Sequence, residues 1–316
     1  MPVVTNSASF RLPLVREVLR RRNTELLRDV EALISLLKYT KPIRELAPYR
    51  LQVLRVCERT RAKLKRSSQL LDRGDDRFLE DVLSSTQLAV LDIHISSGLL
   101  ATPLLRALPS DRLCLTILSW LHAAHPETSV YPPVFLDGSY AMLPLIDTVP
   151  LYYLPSTEQR SLLYISLVFH EFGHLLYALH ERELADLVAE LQDRMDALLM
   201  PSSQRDDRYS EYQTHQRQRL IDAWYSWMQE LFCDAVGLTI GGPAFVQAFA
   251  SYLTSLRVAD FQQSFGAERL SAHPATWLRI YMLCRRAESL GFGELAHRVE
   301  REWRAVAYAL GAMETL

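Results

Sequence analysis

The chain has 316 residues, 49 % of them hydrophobic, and a mean hydropathy of −0.02, which excludes a disordered polymer and leaves room for one large core or two. The net charge of −2 conceals a division: residues 1–73 carry 17 Lys and Arg against 7 Asp and Glu, and the remainder carries 18 against 30. Such a split argues for an N-terminal segment with its own partner, or one that docks on the acidic remainder.

Residues 14–38 place Leu14, Val15, Leu19, Leu26, Leu27, Val30, Leu33 and Leu37 on a helical stripe with an Arg-rich opposite face. Residues 50–72 and 76–91 repeat this character, with breaks near Pro42, Pro48 and Gly74. These segments predict a basic helical bundle over residues 1–110, ending in a connector, 96–110, that contains Gly98, Pro103 and Pro109. No aromatic residue interleaves with the arginines and no nucleic-acid motif is present, so the cations read as a solvated face and a protein partner is the better expectation than nucleic acid. A short helix is predicted from Asp111 to Ala124, with Asp111 as its cap. His122 and His125 lack an accompanying carboxylate pattern and read as surface or loop residues.

Residues 129–154 are rich in β-branched residues, Tyr and Pro, with Asp137-Gly138 as a turn signal. They predict two or three short strands, with 149–154 at a sheet edge, where proline is tolerated. The 162–179 run, LLYISLVFHEFGHLLYAL, is an apolar helix that carries His170-Glu171-Phe172-Gly173-His174. Four residues make about one helical turn, so the two imidazoles share a face and can hold one zinc ion. Glu171 lies roughly 100° further round, within reach of a water on that metal. Three adjacent polar side chains in a buried helix call for a ligand that satisfies them.

An acidic amphipathic helix is predicted from Glu181 to Met200, and residues 201–218 read as a polar, flexible loop in which His215 is exposed. The helix over 219–240 carries Glu230 and Asp234 four apart, on a face that otherwise reads as apolar; two carboxylates there need a metal or a cationic partner. Gly241-Gly242-Pro243 ends that helix and Pro243 opens the next, over 243–259. Pro274 starts a helix that runs through Arg279, Ile280, Leu283 and Cys284, and a final amphipathic helix spans 292–312.

A catalytic zinc site takes three protein ligands and keeps one position open. His170 and His174 supply two, and Glu230 is the best third; Asp234 suits the far ring nitrogen of a ligating histidine. Glu171 is placed as general base, receiving a proton from a water made acidic by zinc and passing it to the leaving amine. His273 is a candidate donor to the oxyanion, with Arg279 orienting it or a nearby carboxylate.

H-E-F-G-H, then E-x-x-x-D, then H-P-x-x-x-x-R, in that order, resembles a gluzincin metallopeptidase. The stretch Ser271-Ala272-His273-Pro274-Ala275-Thr276-Trp277-Leu278-Arg279-Ile280 is similar to the S-x-H-P-P-x-x-x-R-I segment of the CAAX prenyl endopeptidase and bacterial heat-shock protease family, with Ala275 at the second proline. The resemblance covers about 130–290 and not the basic bundle. It implies zinc held by His170, His174 and Glu230, Glu171 as base, Asp234 behind the ligands, and His273 with Arg279 supporting the site. It also implies an α+β fold, predominantly helical: a zincin-like metallopeptidase domain, 111–316, whose small sheet binds a protein or peptide substrate along its edge. That family usually spans a membrane. Here the longest uncharged run, 235–256, is broken by Gly237, Gly241, Gly242 and Pro243, and no secretory signal is evident, so a cytoplasmic protein with no membrane span is expected. Cys57, Cys114, Cys233 and Cys284 form no C-x-x-C pair and read as buried free thiols. The bundle is expected to regulate access or recruit a partner, and the sequence leaves oligomeric state open.

Overall fold

The structure, a computed structural model, describes residues 7–74, 76–108, 111–144, 149–159, 161–199, 210–254 and 273–310. Among these residues the protein is predominantly helical with one small three-stranded sheet. It divides into two compact units, Met1–Leu136 with Leu145–Val149, and Asp137–Pro144 with Pro150–Leu316.

In the first unit α1 (Ser7–Tyr39), α2 (Ala47–Arg73) and α3 (Leu79–Ile95) pack on one another. The heptad-like run Val53, Cys57, Thr60, Leu64, Ser67 and Leu71 forms the buried face of α2, against Leu19, Leu26, Val30 and Leu37 of α1. Gly74 ends α2 in the left-handed conformation, at φ 73°, which glycine adopts without a Cβ clash. Asn23 is fully buried and donates to the Leu64 carbonyl (2.9 Å) and Ser68 Oγ (2.8 Å), which fixes the register of α1 on α2.

The expected connector after α3 is helical instead. A π turn at Ser96–Leu100 leads into α4 (Thr102–Arg106), which Pro103 opens. The buried Tyr49 hydroxyl donates to the Leu100 carbonyl (2.8 Å), so Gly98 and Pro103 punctuate the helix without ending it. Pro109 lies outside the described residues. α5 (Arg112–Ala124) buries Cys114, Leu115, Leu118 and Leu121, and belongs to this first unit, as does the chain up to Leu136. Asp111 precedes it and accepts from the Leu108 N–H (2.7 Å). His122 is buried rather than on the surface, its Nδ1 2.9 Å from the Tyr131 carbonyl, and burial pushes its pKa down.

The sheet has the order β1 (Phe135–Asp137), β3 (Pro150–Leu154), β2 (Ala141–Pro144), and the division between the units falls within β1. β3 is therefore the central strand, not the expected edge. Its pairing with β2 is antiparallel, with Pro144 opposite Pro150, so both prolines sit at the end of the ladder where no interior bond is lost. Leu151, Tyr152 and Leu154 are all buried, as a central strand requires.

In the second unit α6 (Leu162–Ile165) and α7 (Val168–Leu179) follow the sheet, then α8 (Glu181–Leu199) and α9 (Ser210–Thr254). α10 (Thr276–Ser289) and α11 (Gly293–Ala309) close the unit. α9 begins at Ser210, so the second half of the expected 201–218 loop is helical; 200–209, 255–272 and the His215 side chain lie outside the described residues. Gly242 breaks α9 at φ 56°, ψ −141°, and Pro243 opens its second arm, as the Gly-Gly-Pro run predicts. Phe245, Val246, Phe249 and Leu253 of that arm form a core with Ile280, Leu283 and Cys284 of α10 and Trp303 of α11.

All four cysteines are buried and free. Among the described residues, three helices are long and apolar enough to cross a membrane by length and composition: Asp76–Arg106, Leu162–Leu179 and Gln218–Thr254. The expectation of no membrane span rests on the uncharged run 235–256 alone, whereas these windows also admit up to two charges.

α7 packs on α9 more extensively than any other pair of elements. Residue 173 explains how closely: a Cβ there would lie 2.7 Å from Cys233 Cα and 3.0 Å from Cys233 Cβ. Gly173→Ala should force the two helices apart and destabilise the protein by about 1–3 kcal/mol. In urea titrations the midpoint should fall with little change in slope; an unchanged midpoint would show that the contact is not tight.

Candidate metal centre

His170 and His174 stand one turn apart on α7, with ring centroids 5.0 Å apart and planes at 90°. Glu230 comes from the first arm of α9, carried to them by the Gly173–Cys233 contact. Glu230 Oε2 is 3.5 Å from His170 Nε2, and Glu230 Oε1 is 3.6 Å from His174 Nε2. One donor atom from each of the three residues lies within 4.8 Å of the others, and the group could hold a metal ion. His170 and Glu230 are buried and His174 half-buried.

Behind the three donors is a second layer of charge. Asp234, one turn beyond Glu230, has Oδ1 2.9 Å from His170 Nδ1. Asp234 thus faces Nδ1, at a distance but not an angle that makes a hydrogen bond, and Nε2 is turned towards Glu230. Arg279 of α10 grips Asp234 with two bonds, Nε to Oδ2 (2.8 Å) and Nη2 to Oδ1 (2.7 Å). Its Nη2 also lies 3.2 Å from Glu230 Oε2, and its guanidinium lies 4.6 Å from the centre of the Phe249 ring. His273, just before α10, has Nδ1 3.2 Å from Glu230 Oε2 and keeps 66 % of its side chain exposed. Thus the three sequence motifs converge, with Arg279 on a carboxylate rather than on His273, and His273 on Glu230.

The electrostatics follow from burial. Burial pulls the His170 pKa down, but Asp234 and Glu230 outweigh it and raise the value to about 9. Burial and the neighbouring His170 lower His174 to about 4. Burial opposes ionisation of Glu230, yet His170, His273 and Arg279 hold its pKa well below the ordinary range. Arg279 does the same for Asp234 against the same burial penalty. Glu171 is the exception: its neighbours do not offset burial, which lifts its carboxyl to about 7.

Two imidazoles and one carboxylate with converging lone pairs suit zinc. Glu230 Oε2 fits the same requirement, being buried without a hydrogen bond of good geometry despite the cations near it. Arg279, against both Asp234 and Glu230, supplies the positive charge that the two carboxylates demand, and the raised pKa of His170 acts in the same sense.

Sequence reasoning missed Gly173, whose lack of a side chain admits Cys233, and Gln229, whose Nε2 lies 3.5 Å from His174 Nδ1. A glycine between the histidines on an apolar helix was a signal for close helix packing. Gln229, next to Glu230 on an amphipathic helix, gave none.

Purified protein should take up about one zinc ion per chain by elemental analysis. Asp234→Asn should weaken zinc binding about 10–100-fold in competition with a chelating dye. Undiminished affinity would remove Asp234 from the centre.

Comparison with protein-family models, with curated proteins and with solved structures finds no match for the chain.

Proposed function

We propose that the protein is a zinc-dependent peptidase that hydrolyses a protein or peptide substrate. The observation that carries this reading is the convergence of His170, His174 and Glu230 with a buried Glu171 beside them. Bound zinc supplies a Lewis acid that makes water nucleophilic near neutral pH and polarises a carbonyl.

The chain's own groups account for the rest. Asp234, 2.9 Å from His170 Nδ1, favours a proton there and so leaves Nε2 as the ligand atom. Arg279 fixes Asp234 and balances the negative charge of the two acids. The Glu171 carboxyl, raised to about 7 by burial, can take a proton from water and later release it to a leaving amine. His273, whose pKa the adjacent Glu230 raises and whose side chain is largely exposed, is a donor that a substrate oxyanion can reach. An extended substrate would add to β2, the terminal strand of the sheet that packs on α7, rather than to the central β3.

A second reading is a metal-holding regulatory protein without turnover. Its support is the pair Arg279 Nη2 and His273 Nδ1, each 3.2 Å from Glu230 Oε2, which crowd the oxygen that a metal would need. Glu171→Gln separates the two. On the peptidase reading, zinc-loaded wild-type protein cleaves an unfolded-protein or peptide-library substrate, and the variant keeps its zinc but loses at least about 10²-fold in rate. No cleavage by zinc-loaded wild type at any sequence favours the second reading. Equal rates for variant and parent rule out Glu171 as base.

A further inference from the structure

The solvent face of α2 carries Arg55, Arg59, Lys63 and Arg66, all exposed. At 100° per residue they fall within about 80° of one another, opposite the buried Val53, Cys57, Leu64 and Leu71, over about 17 Å of helix. No acidic residue shares that stripe: Glu58, paired with Arg61, and Asp72, paired with Arg20, lie to its side. Among the described residues only Lys63 has an acidic partner, Asp92 at 3.2 Å; Arg55, Arg59 and Arg66 have none.

α8 presents the counterpart. Glu183, Asp186, Glu190 and Asp193 are exposed, again within about 80° of one another, over about 15 Å. Glu190 is paired along the helix with Arg194, and Glu183 with His180 at 3.2 Å. Asp186 and Asp193 have no cation among the described residues. The two stripes match in length, in angular width and in number of charges, with opposite sign.

We infer that α2 of one copy docks on α8 of a second copy of this chain. A duplex nucleic acid is a poorer fit, because it would account for the basic stripe of α2 and leave the matching acidic stripe of α8 without a partner. An anionic bilayer is poorer too, because no large exposed apolar side chain lies within the stripe to enter it. Exposed ion pairs are individually weak, so the association is weak, with a dissociation constant on the order of 10⁻⁵ to 10⁻³ M. It is also salt-sensitive, since the screening length falls from about 10 Å at 0.1 M salt to about 3 Å at 1 M. The two patches differ, so the contact is heterologous and makes rings or chains of copies.

Sedimentation velocity of the full chain tests this. At about 0.1 M NaCl the weight-average mass should rise with concentration up to the millimolar range, and the rise should vanish at about 1 M. The triple variant Arg55→Glu, Arg59→Glu, Arg66→Glu should stay monomeric, as should Glu183→Lys, Asp186→Lys, Asp193→Lys. An equimolar mixture of the two should associate again, because each charge-reversed stripe then meets its complement. Thermal melts by circular dichroism confirm that each variant is folded. A parent that is monomeric at low salt, self-association that survives either triple variant, or a mixture that fails to recover association overturns the inference. Binding of polyuridylate or phosphatidylserine vesicles by a parent that stays monomeric assigns the stripe to that partner instead and overturns it equally.

Discussion

Helices α7 and α9 approach each other so closely at Gly173 and Cys233 that a methyl group would not fit between them. Everything in the candidate metal centre depends on that approach. Ordinary helix packing holds axes 8–10 Å apart, set by the side chains at the contact, and a glycine at the crossing permits the short end of that range. Glu230 is three residues from Cys233 and His170 and His174 flank Gly173, so the distance between backbones sets the distance between ligands. A coordination sphere tolerates errors of only a few tenths of an ångström, and packed backbone supplies that precision better than flexible side chains.

The second constraint is charge. Burying an isolated carboxylate is prohibitive, and this centre buries three acids with one guanidinium and one imidazole, a second imidazole being half-buried. Arg279 reconciles them by binding Asp234 at two points while lying against Glu230 and the face of Phe249. Glu171 is left outside this exchange. Its neighbours do not compensate its burial, so its pKa rises while those of Glu230 and Asp234 fall. Three carboxyls within two helices are thereby given different protonation behaviour, by burial in one case and by paired cations in the other two.

The helices of the first unit were legible because their apolar residues recur at helical spacing, and Gly74 and Pro48 mark real boundaries. The stretch after α3 was not, because Gly98 and Pro103 are ordinary breakers whose effect is cancelled by a π turn and by the Tyr49 hydroxyl. Strand β3 was misplaced for a related reason. Proline signals an edge in general, but here Pro150 lies at the first position of the strand, where the missing N–H costs nothing. In each case the local signal was genuine and a contact distant in sequence decided its meaning.

The sequence alone determined the types and order of the candidate groups: two imidazoles one turn apart, an acid with a second acid one turn on, and a later arginine, because helical periodicity is a local property read from spacing. The tertiary structure decided which of these groups meet. Nothing in the spacing says that Arg279 takes Asp234, that His273 takes Glu230, or that the central strand is β3, since those outcomes depend on how elements far apart in the chain pack. The approach of α7 to α9 lies between the two: a glycine in the motif allowed it, and Cys233, sixty residues away, completed it.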